Sequence, residues 1–218
     1  MATAITALLV DDHIAIRESH SLLLEQFDIH VIGEADNGEQ VLQLYPQLQP
    51  DIVIMDLSIR GMNGLDCTAR LVQQHADAKI VVFSMHDNIN FALRAIKNGA
   101  MAYVLKSDPS ASLVNAIKQI YYQSKPFLSE AIANTIALRN IRPSNDKLSR
   151  LSDREYSIFL LLVEGKSRYE IADTLSLTIG TISNNKTKIL QKLQAQSLSE
   201  LTVIAIEANV LKQNQLSL

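Results

Sequence analysis

Residues 51–56, Asp-Ile-Val-Ile-Met-Asp, decide the fold, because four apolar residues lead directly into the carboxylate of Asp56. A short apolar run of this kind is typical of a strand buried on both faces of a parallel sheet. Similar runs lie at about residues 5–10, 29–34, 79–84 and 101–105, and stretches of helical period separate them. The first half is therefore predicted to be an α/β unit, a doubly wound sheet of five parallel strands.

Polar side chains close four of these runs. Asp11 and Asp12 follow the first run, Asp56 ends the third, Ser84 ends the fourth and Lys106 follows the fifth. The spacings are 45 residues from Asp11 to Asp56, then 28 to Ser84 and 22 to Lys106, each about one or two strand-helix units. Because ligands of open parallel sheets bind at the carboxyl ends of the strands, these five side chains should meet.

The chemistry of this group is that of a phosphate-and-metal site. Asp11 and Asp12 alone would be equally compatible with capping of the next helix. With Asp56 added, three carboxylates repel one another unless a hard cation neutralises them, and Mg²⁺ prefers such oxygen ligands. Asp56 could then attack a phosphoryl group, while Lys106 and the Ser84 hydroxyl stabilise the charge on its oxygens.

Composition indicates a globular cytoplasmic protein of two domains. The chain has 218 residues, of which 47% are hydrophobic. Residues 1–10 contain no basic segment and are predicted to be the first strand, not a signal peptide. The later apolar stretch 158–163 is too short to cross a membrane, and a single cysteine, Cys67, excludes an internal disulfide and suits a reducing cytosol.

The charge changes sign between the halves, and we predict a boundary there. Residues 1–146 carry 11 Lys/Arg against 16 Asp/Glu, whereas residues 147–218 carry 9 against 7. The predicted domains are 1–123, a connection over 124–149 with a helix at about 129–138, and 150–218. A break at 142–146 and a flexible segment at about 141–149 should separate them.

Helix-start patterns mark both halves. In the first, Asp108 as cap and Pro109 as first helical residue predict a helix to Gln123. The second half is wholly helical in pattern, and its capping boxes begin at Ser152, Ser167 and Ser197, each with glutamate three residues later. Thr178 and Thr181 bracket one further start. These starts predict a compact four-helix unit.

At these residues the first half resembles the receiver domain of two-component response regulators, which has a flavodoxin-like fold. The resemblance covers residues 4–123 and includes Gly61-Met-Asn-Gly64 and Gly99-Ala100. It implies that a sensor histidine kinase or phosphotransfer protein phosphorylates Asp56, that Ser84 and Lys106 contact the phosphoryl group, and that Tyr103 is an aromatic switch. It also implies a Mg²⁺ site formed by Asp11, Asp12, Asp56 and the main-chain carbonyl of Ser58.

Three residues depart from the usual receiver pattern. Arg60 replaces a proline in the loop after the acceptor, Ala102 replaces a frequent glycine, and Ser107 follows the lysine where proline is common. Arg60 would either loosen that loop or reach the entrance of the site. The rate of dephosphorylation and the preference for a kinase depend on which of these applies.

The second half resembles the LuxR-type helix-turn-helix of the NarL/FixJ class over about 149–211. The matching segments are Leu151-Ser-Asp-Arg-Glu155, Gly165-Lys-Ser-Arg-Tyr-Glu-Ile-Ala172, Leu175, Thr181-Ile182 and Lys192-Leu193. The resemblance implies that the third helix of the unit enters the major groove of promoter DNA and that the fourth helps to form a homodimer.

Helical geometry at about 179–194 separates a core face from an outer face. Ile182, Ile189 and Leu193 share a narrow arc, whereas Asn184 and Lys188 lie opposite. An exposed helix face is often simply polar, but with the resemblance we predict contacts to bases and phosphates. The candidates are Thr181, Ser183, Asn184, Lys186, Thr187, Lys188 and Gln191, with Lys166 and Arg168.

The fourth helix, expected at about 198–211, has two apolar faces. Leu201, Ile204, Ala205 and Ala208 lie on one, and Val203, Ile206 and Val210 on the other. A helix packed on one small core needs only one apolar face. The second face is a candidate dimer contact, and burial against the linker helix or the first domain is the alternative.

The function expected from both halves is that of a phosphorylation-regulated transcription factor, not an enzyme, with RNA polymerase as a further candidate partner. Two alternatives remain. A Mg²⁺-dependent phosphohydrolase would use Asp56 as nucleophile but usually needs a second acid close behind it, where this chain has Leu57 and Ser58. A DNA-binding protein that uses its receiver only for protein interactions would not need phosphorylation.

Overall fold

The computed structural model describes residues 4–141, 147–208 and 210–211. The chain divides into two compact units, Met1–Leu138 and Arg139–Leu218. Among the described residues, no helix combines the length and the apolar character that a membrane crossing requires.

The first unit contains a parallel sheet with the strand order β2-β1-β3-β4-β5-β6. Its strands are β1 Ile5–Val10, β2 Ile29–Ala35, β3 Ile52–Met55, β4 Ile80–Ser84, β5 Ala102–Leu105 and β6 Phe127–Leu128. The five strands expected from the sequence are confirmed, each to within one residue at either end.

The prediction of five strands was one short. The additional strand, β6, has two residues and pairs with β5 at the edge of the sheet. The main-chain N–H of Phe127 donates to the carbonyl of Met101 at 2.9 Å, and that of Ser129 donates to the carbonyl of Tyr103 at 3.1 Å. A strand this short has no periodicity of its own, and it forms because the edge of β5 offers unpaired main-chain groups.

Helices cover both faces of the sheet. They are α1 Ile14–Glu25, α2 Gly38–Leu48, α3 Gly64–Gln74, α4 Ile89–Lys97 and α5 Ser110–Gln123, and the linker helix α6 Glu130–Ile141 follows β6. Along β1, Leu9 packs in one apolar cluster with residues of α1 and α5, and Leu8 packs in the other with residues of α2 and α3. This alternation is the doubly wound, flavodoxin-like arrangement that was predicted.

The predicted start of α5 was wrong by one residue. Pro109 is the cap, with an extended backbone at φ −54° and ψ 141°, so Ser110 is the first helical residue. Asp108 does not cap the helix, because its Oδ2 accepts a hydrogen bond from the main-chain N–H of Leu105 at 3.0 Å. The end of the helix at Gln123 is confirmed.

The second unit contains the four α-helices that were predicted, α7 Asp153–Val163, α8 Arg168–Thr174, α9 Ile179–Leu193 and α10 Leu198–Glu207. Ser152 and Ser167 form complete capping boxes, and Thr178 caps α9. The third predicted box is incomplete. Ser197 accepts from the N–H of Glu200, but the Glu200 carboxylate accepts from Gln196 at 2.9 Å.

The connection between the units is more ordered than predicted at its second end. A 3₁₀ helix covers Lys147–Arg150, and Leu148 within it is buried. Residues 147–149 are therefore not the flexible segment that was expected, because Leu148 fixes them on the second unit. The predicted helix at 129–138 is confirmed in α6, and the predicted break at 142–146 lies outside the described residues.

Candidate functional site

The carboxyl ends of β1, β3, β4 and β5 bring the predicted acidic site together. Asp56 follows β3, and its N–H donates to the carbonyl of Val10 at the end of β1 at 2.9 Å. Lys106 follows β5, and its N–H donates to the carbonyl of Ser84 at the end of β4 at 2.8 Å. These hydrogen bonds align the strand ends, so that the side chains after them lie at one edge of the sheet.

Lys106 joins two of the carboxylates directly. Its Nζ lies 2.5 Å from Oδ2 of Asp11 and 2.9 Å from Oδ2 of Asp56. Burial would lower the pKa of Lys106, but the charges of Asp56 and Asp11 outweigh burial and raise that pKa. The ammonium group is therefore charged at neutral pH and is the internal counter-ion of the acidic site.

Asp56 has one oxygen available for chemistry. Its Oδ1 is buried, and no described residue hydrogen-bonds to it. Burial raises the pKa of Asp56 and the charge of Asp11 adds to the rise, whereas Lys106 opposes it. A buried carboxylate oxygen without a partner is costly unless something else occupies it, so Oδ1 is the natural point of attack or of metal binding.

Asp12 provides the outer part of the acidic group. It lies beside Asp11 and His13, and one potential ligand atom from each of the three side chains lies within 4.8 Å of the other two. Oδ1 of Asp12 lies 2.8 Å from Nδ1 of His13, whose side chain is 65% exposed. Because Oδ1 of Asp56 has no partner among the described residues and Oδ1 of Asp12 faces only an exposed imidazole, this donor set fits a hard divalent cation.

His86 is a site residue that the sequence analysis missed. Its ring nitrogen Nε2 lies 3.0 Å from the hydroxyl of Ser58, and its ring stacks on Phe91 with centroids 4.2 Å apart. Burial lowers the pKa of His86, although Asp56 opposes this, so the imidazole is neutral at pH 7. Its position two residues after Ser84 was the only sequence signal. The described side-chain contact of Ser58 uses its hydroxyl, and the carbonyl ligand remains a prediction.

Ser84 and Tyr103 are both buried and both contact the main chain of His86. The N–H of His86 donates to Oγ of Ser84 at 3.2 Å. The hydroxyl of Tyr103 donates to the carbonyl of His86 at 2.8 Å. Tyr103 is 0% exposed, so its ring occupies an inward position.

Arg60 reaches the entrance of the site. Its Nε lies 3.6 Å from Oδ2 of Asp12, and 67% of its side chain is exposed. Its main chain forms a parallel bridge with Asn37, and Gly61 beside it has φ +69°, a conformation that glycine adopts without strain. The loop is therefore held at Arg60, while the guanidinium group can move.

In the second unit, α9 presents the two faces that were predicted. Ile182, Ile189 and Leu193 are buried. The residues exposed on its opposite face are Asn184, Thr187, Lys188 and Gln191. The orientation of the helix is thus confirmed, and the DNA contacts of these residues remain predictions.

Several of the other DNA candidates already make internal contacts. Arg168 donates from its guanidinium group to Oγ of Ser183 at 3.3 Å, which links α8 to α9. Thr181 shares a hydrogen bond of 2.9 Å with the hydroxyl of the cap Thr178. Lys186 is half-buried and Lys166 is exposed. Arg168 therefore helps to position α9 in the absence of DNA, in addition to being a candidate for a phosphate contact.

An ion pair between an exposed lysine and a buried glutamate joins α9 to α7, and it was not predicted from the sequence. Nζ of Lys192 lies 2.5 Å from Oε2 of Glu155, which is 5% exposed and also accepts from the N–H of Ser152 at 2.7 Å. Burial would raise the pKa of Glu155, but the hydrogen bonds from Lys192 and Ser152 outweigh burial and lower it. The carboxylate is therefore charged at neutral pH and fixes both helices.

Two of the three residues predicted to form a dimer contact, Val203 and Ile206, lie on α10. Val203 is 53% exposed and Ile206 is half-buried, whereas the opposite residues Leu201 and Ile204 are buried in the core. Including Val210 in a helical face was wrong, because α10 ends at Glu207. The N–H of Val210 donates to the carbonyl five residues earlier at 2.8 Å, so the chain has left the α-helical path there.

Known families match both units. The model described as response regulator receiver domain matches residues 7–118, and the model described as bacterial regulatory proteins, luxR family, matches residues 149–205. The oxygen regulatory protein NreC of Staphylococcus carnosus is 32% identical over 214 residues, which are 94% of this chain and 98% of that protein. The transcriptional regulatory protein LiaR of Bacillus subtilis is 34% identical over 92% of this chain and 96% of its own length.

Solved structures agree with this fold. A LuxR-family two-component response regulator from Aurantimonas sp. is 37% identical, with a TM-score of 0.61. The match covers 63% of this chain and 98% of that chain. RcsB of Salmonella typhimurium is similar in fold, with 23% identity, a TM-score of 0.69 and coverage of 94% of this chain and 98% of that chain. The chain belongs to the two-component response regulators that join a receiver domain to a LuxR-type helix-turn-helix domain and regulate transcription.

Proposed function

We propose that Asp56 is the phosphoacceptor of this regulator and that its phosphorylation controls dimerisation and promoter binding. The observation that carries the proposal is the buried Oδ1 of Asp56, which has no hydrogen-bond partner among the described residues and lies on a carboxylate paired with Lys106. An oxygen so oriented is a nucleophile whose charge is balanced beside it. This function implies a cytoplasmic protein that is not an enzyme acting on other substrates.

The donor is a phosphohistidine of a sensor histidine kinase or of a phosphotransfer protein. An oxygen of Asp56 attacks the phosphorus, the P–N bond breaks, and the imidazole leaves with its electron pair and takes up a proton from water. The carboxylate becomes a mixed anhydride and loses its own charge. Lys106, which already touches Asp56 and Asp11, can then turn its ammonium group to a phosphoryl oxygen. The buried hydroxyl of Ser84 is the second donor to that group.

The side chains of Asp11, Asp12 and Asp56 would hold Mg²⁺ together with the main-chain carbonyl of Ser58. The Asp56 Oδ1, which has no partner among the described residues, and the acidic group around it support this assignment. When bound, the ion neutralises charge on the carboxylates and on the phosphoryl oxygens. Asp11 would exchange part of its contact with Lys106 for the ion, and this would leave the lysine freer to follow the phosphoryl group.

We further propose that the exposed face of α9 reads promoter DNA and that a homodimer presents two such helices. Asn184 and Gln191 can form paired hydrogen bonds with adenine, and Lys188 can contact guanine or a phosphate. RcsB, which is similar in fold, has been solved as dimers bound to DNA. Val203 and Ile206 are the candidate dimer contacts on α10, and RNA polymerase is a candidate partner of the DNA-bound form.

One experiment tests the switch. The purified full chain and its Asp56→Asn variant are incubated with Mg²⁺ and a small acyl phosphate, and phosphoryl incorporation and affinity for duplexes selected from a random DNA pool are measured in the same samples. The expected result is incorporation only in the wild type, accompanied by tighter DNA binding. Labelling of the Asp56→Asn variant to the same extent as the wild type would refute the assignment of Asp56 as the phosphoacceptor. Labelling without a change in DNA affinity would leave Asp56 as the acceptor and refute the coupling of its phosphorylation to DNA binding.

A separate measurement addresses the hydrolase alternative. Turnover of the acyl phosphate beyond one equivalent per chain, at a rate typical of an enzyme, would favour a phosphohydrolase. We expect a single stoichiometric phosphorylation followed by slow loss, because Leu57 and Ser58 supply no second acid behind the nucleophile.

A further inference from the structure

Arg17 on α1 holds the main chain of Asp11. Its Nη1 donates to the carbonyl of Asp11 at 2.6 Å, and its Nε donates to Oε2 of Glu34 at 2.8 Å. The side chain of Arg17 is 12% exposed, whereas that of Glu34 is 42% exposed. The guanidinium group therefore bridges an acidic residue of the site and β2, which is an edge strand of the sheet.

The connection between β1 and α1 is short and depends on such contacts. Only residues 11–13 separate the two elements, and they include the acidic pair. The main-chain N–H of Asp11 donates to the carbonyl of Ala35 on β2 at 3.1 Å. Its carbonyl is held by Arg17, whose other partner, Glu34, precedes Ala35 on the same strand. Both main-chain groups of Asp11 are thus fastened to the end of β2, one directly and one through the guanidinium group.

The position of Arg17 on α1 gives no advantage to the helix itself. Its main-chain N–H donates to the carbonyl of His13 at 3.1 Å, so the residue closes the first turn. A positive charge there is unfavourable, because the N-terminal end of a helix dipole is itself positive. The charge is balanced by Glu34 instead, and a second donor of the guanidinium group is used at Asp11.

The peptide unit that Arg17 holds is the one that joins the two acidic residues. The carbonyl carbon of Asp11 is bonded to the nitrogen of Asp12, and a peptide unit is planar. Fixing the carbonyl oxygen therefore also fixes the main chain at Asp12. The carboxylate of Asp12 contacts side chains that are themselves exposed, those of His13 and Arg60, so its main chain is the firmer anchor.

We propose that Arg17 is a positioning residue of the Mg²⁺ site and that Glu34 positions Arg17. Together they hold the peptide unit of the acidic pair, so that the carboxylates of Asp11 and Asp12 are in place before the ion binds. Replacing an outer partner of metal ligands typically weakens metal binding by about 10–100-fold. This inference rests on the proposed Mg²⁺ site and adds to it two residues that do not touch the ion.

A purely electrostatic role of Arg17 would have the opposite effect on the affinity for Mg²⁺. A guanidinium charge close to the site repels the ion, so its removal would tighten binding if charge alone mattered. If the guanidinium group instead positions the ligands, its removal weakens binding. The sign of the change therefore distinguishes the two roles.

Calorimetric titration of the unphosphorylated full chain with Mg²⁺ measures that sign. Arg17→Met should weaken binding by about tenfold or more. Glu34→Gln should weaken it by a smaller factor, because Arg17 then keeps its hydrogen bond to Asp11. The double variant should bind no more weakly than Arg17→Met alone, since Glu34 acts through Arg17.

Two substitutions in the same unit are matched controls for loss of charge. Arg70→Met removes an exposed arginine of α3. Glu25→Gln removes a carboxylate that pairs with His30 of β2 at 2.9 Å. Both should leave the affinity for Mg²⁺ unchanged. Losses equal to those of Arg17→Met and Glu34→Gln would show that net charge, and not positioning, sets the affinity.

Phosphorylation by an acyl phosphate separates positioning from general damage to the fold. In Arg17→Met, the Mg²⁺ concentration that gives half of the maximal rate should rise, while the rate at saturating Mg²⁺ should equal that of the wild type. Loss of folded protein would lower the amount of label at every Mg²⁺ concentration, and urea unfolding measures that loss separately. A lower saturating rate with an unchanged half-maximal concentration would refute the positioning role.

Hydrogen exchange tests the positioning without any metal. The N–H of Asp11 is bonded to Ala35, and that of His13 donates to Oδ1 of Asp11 at 2.9 Å. Arg17→Met should speed exchange of both amides by about fivefold, as expected for loss of one ordinary hydrogen bond. Glu34→Gln should act in the same direction, and Arg70→Met should have no effect.

The outcomes separate this inference from the proposed site. Mg²⁺ binding that Asp12→Asn leaves unchanged would refute the site, and hydrogen exchange would then decide whether Arg17 fixes Asp11. Binding that depends on Asp12 but is unchanged or tightened in Arg17→Met would refute the inference and leave the site intact. Unchanged exchange at Asp11 and His13 in Arg17→Met would refute it whether or not Mg²⁺ binds.

Discussion

The Nζ atom of Lys106 lies 2.9 Å from Asp56 and 2.5 Å from Asp11, and all three side chains are at most 7% exposed. One buried cation therefore balances two buried carboxylates. Loss of Lys106 would leave two negative charges close together in a region of low polarity. Loss of either carboxylate would leave the other one still paired with Lys106.

Replacing Lys106 by Met should destabilise the first unit by about 3–5 kcal/mol, because this is the usual effect of breaking a buried ion pair from one side. Mg²⁺ should restore part of the loss by neutralising Asp11 and Asp56. Urea unfolding with and without Mg²⁺ measures both effects. A loss that is the same at every Mg²⁺ concentration would contradict the assignment of these carboxylates as ligands.

Asp56→Asn should raise the free energy of unfolding at pH 7. The pKa of Asp56 is raised in the folded protein, so folding favours its protonated form. The stability that this group contributes is present at acid pH and is lost as pH rises through the raised folded pKa. The difference between variant and wild type should therefore shrink as pH falls through that pKa. Thermal unfolding across pH checks this, and a difference that grows towards acid pH would reverse the sign of the shift.

Arg60→Ala should tighten Mg²⁺ binding by up to about fivefold, the range expected from removing one exposed ion pair. In the structure Arg60 competes for Asp12, with Nε at 3.6 Å from its carboxylate. Calorimetric titration of the unphosphorylated protein measures the affinity directly. Arg60→Lys retains the positive charge and is the control; an equal effect of both substitutions would show that charge is not the cause.

Lys188→Ala should weaken binding to DNA of any sequence and reduce the salt dependence of binding by about one counterion if the lysine contacts a phosphate. The residue is exposed on the outer face of α9. Binding titrations at several salt concentrations measure the slope. Lys97→Ala, an exposed lysine in α4 of the other unit, is the control. Unchanged affinity and slope for Lys188→Ala would exclude the contact.

Lys192→Met should destabilise the second unit by about 1 kcal/mol, the upper end of the range for an ion pair with one solvent-exposed partner, because the Lys192 side chain is 41% exposed. The pKa of Glu155 is lowered by its partners, so the stability that it contributes is present above its unfolded pKa and is lost as pH falls through the folded value. Unfolding of the second unit should therefore be less dependent on acid pH in the variant. If the unfolding free energy of Lys192→Met depends on acid pH as strongly as that of the wild type, then groups other than Glu155 cause that dependence.

The positions of the acidic residues could be predicted because they lie at the ends of apolar strands, and parallel strands bring their carboxyl ends to one edge of the sheet. His86 could not be predicted in the same way, since two of its three site contacts use main-chain groups and carry no residue preference. The Lys192–Glu155 pair was hidden for another reason. Glu155 already had a role as the last residue of a capping box, and nothing in the sequence indicates that it also pairs with α9.

The errors have local causes. The cap of α5 was placed on Asp108, but its carboxylate binds Leu105 instead, a competition between two nearby N–H groups that residue preferences do not resolve. The apolar pattern of α10 continues past Glu207, so periodicity alone extended the helix to include Val210. Where hydrogen bonding to the main chain decides the outcome, pattern is a weak guide.

The short strand β6 changes where the first unit can be cut. A fragment ending at Gln123, the boundary suggested by the sequence, lacks Phe127 and Leu128 and would leave the edge of β5 unprotected. Exposed parallel edges invite pairing with another chain, so such a fragment should self-associate for reasons unrelated to signalling. Dimerisation of an isolated receiver that ends at Gln123 would therefore result from the missing edge strand. A fragment that includes β6 is needed to measure dimerisation controlled by phosphorylation.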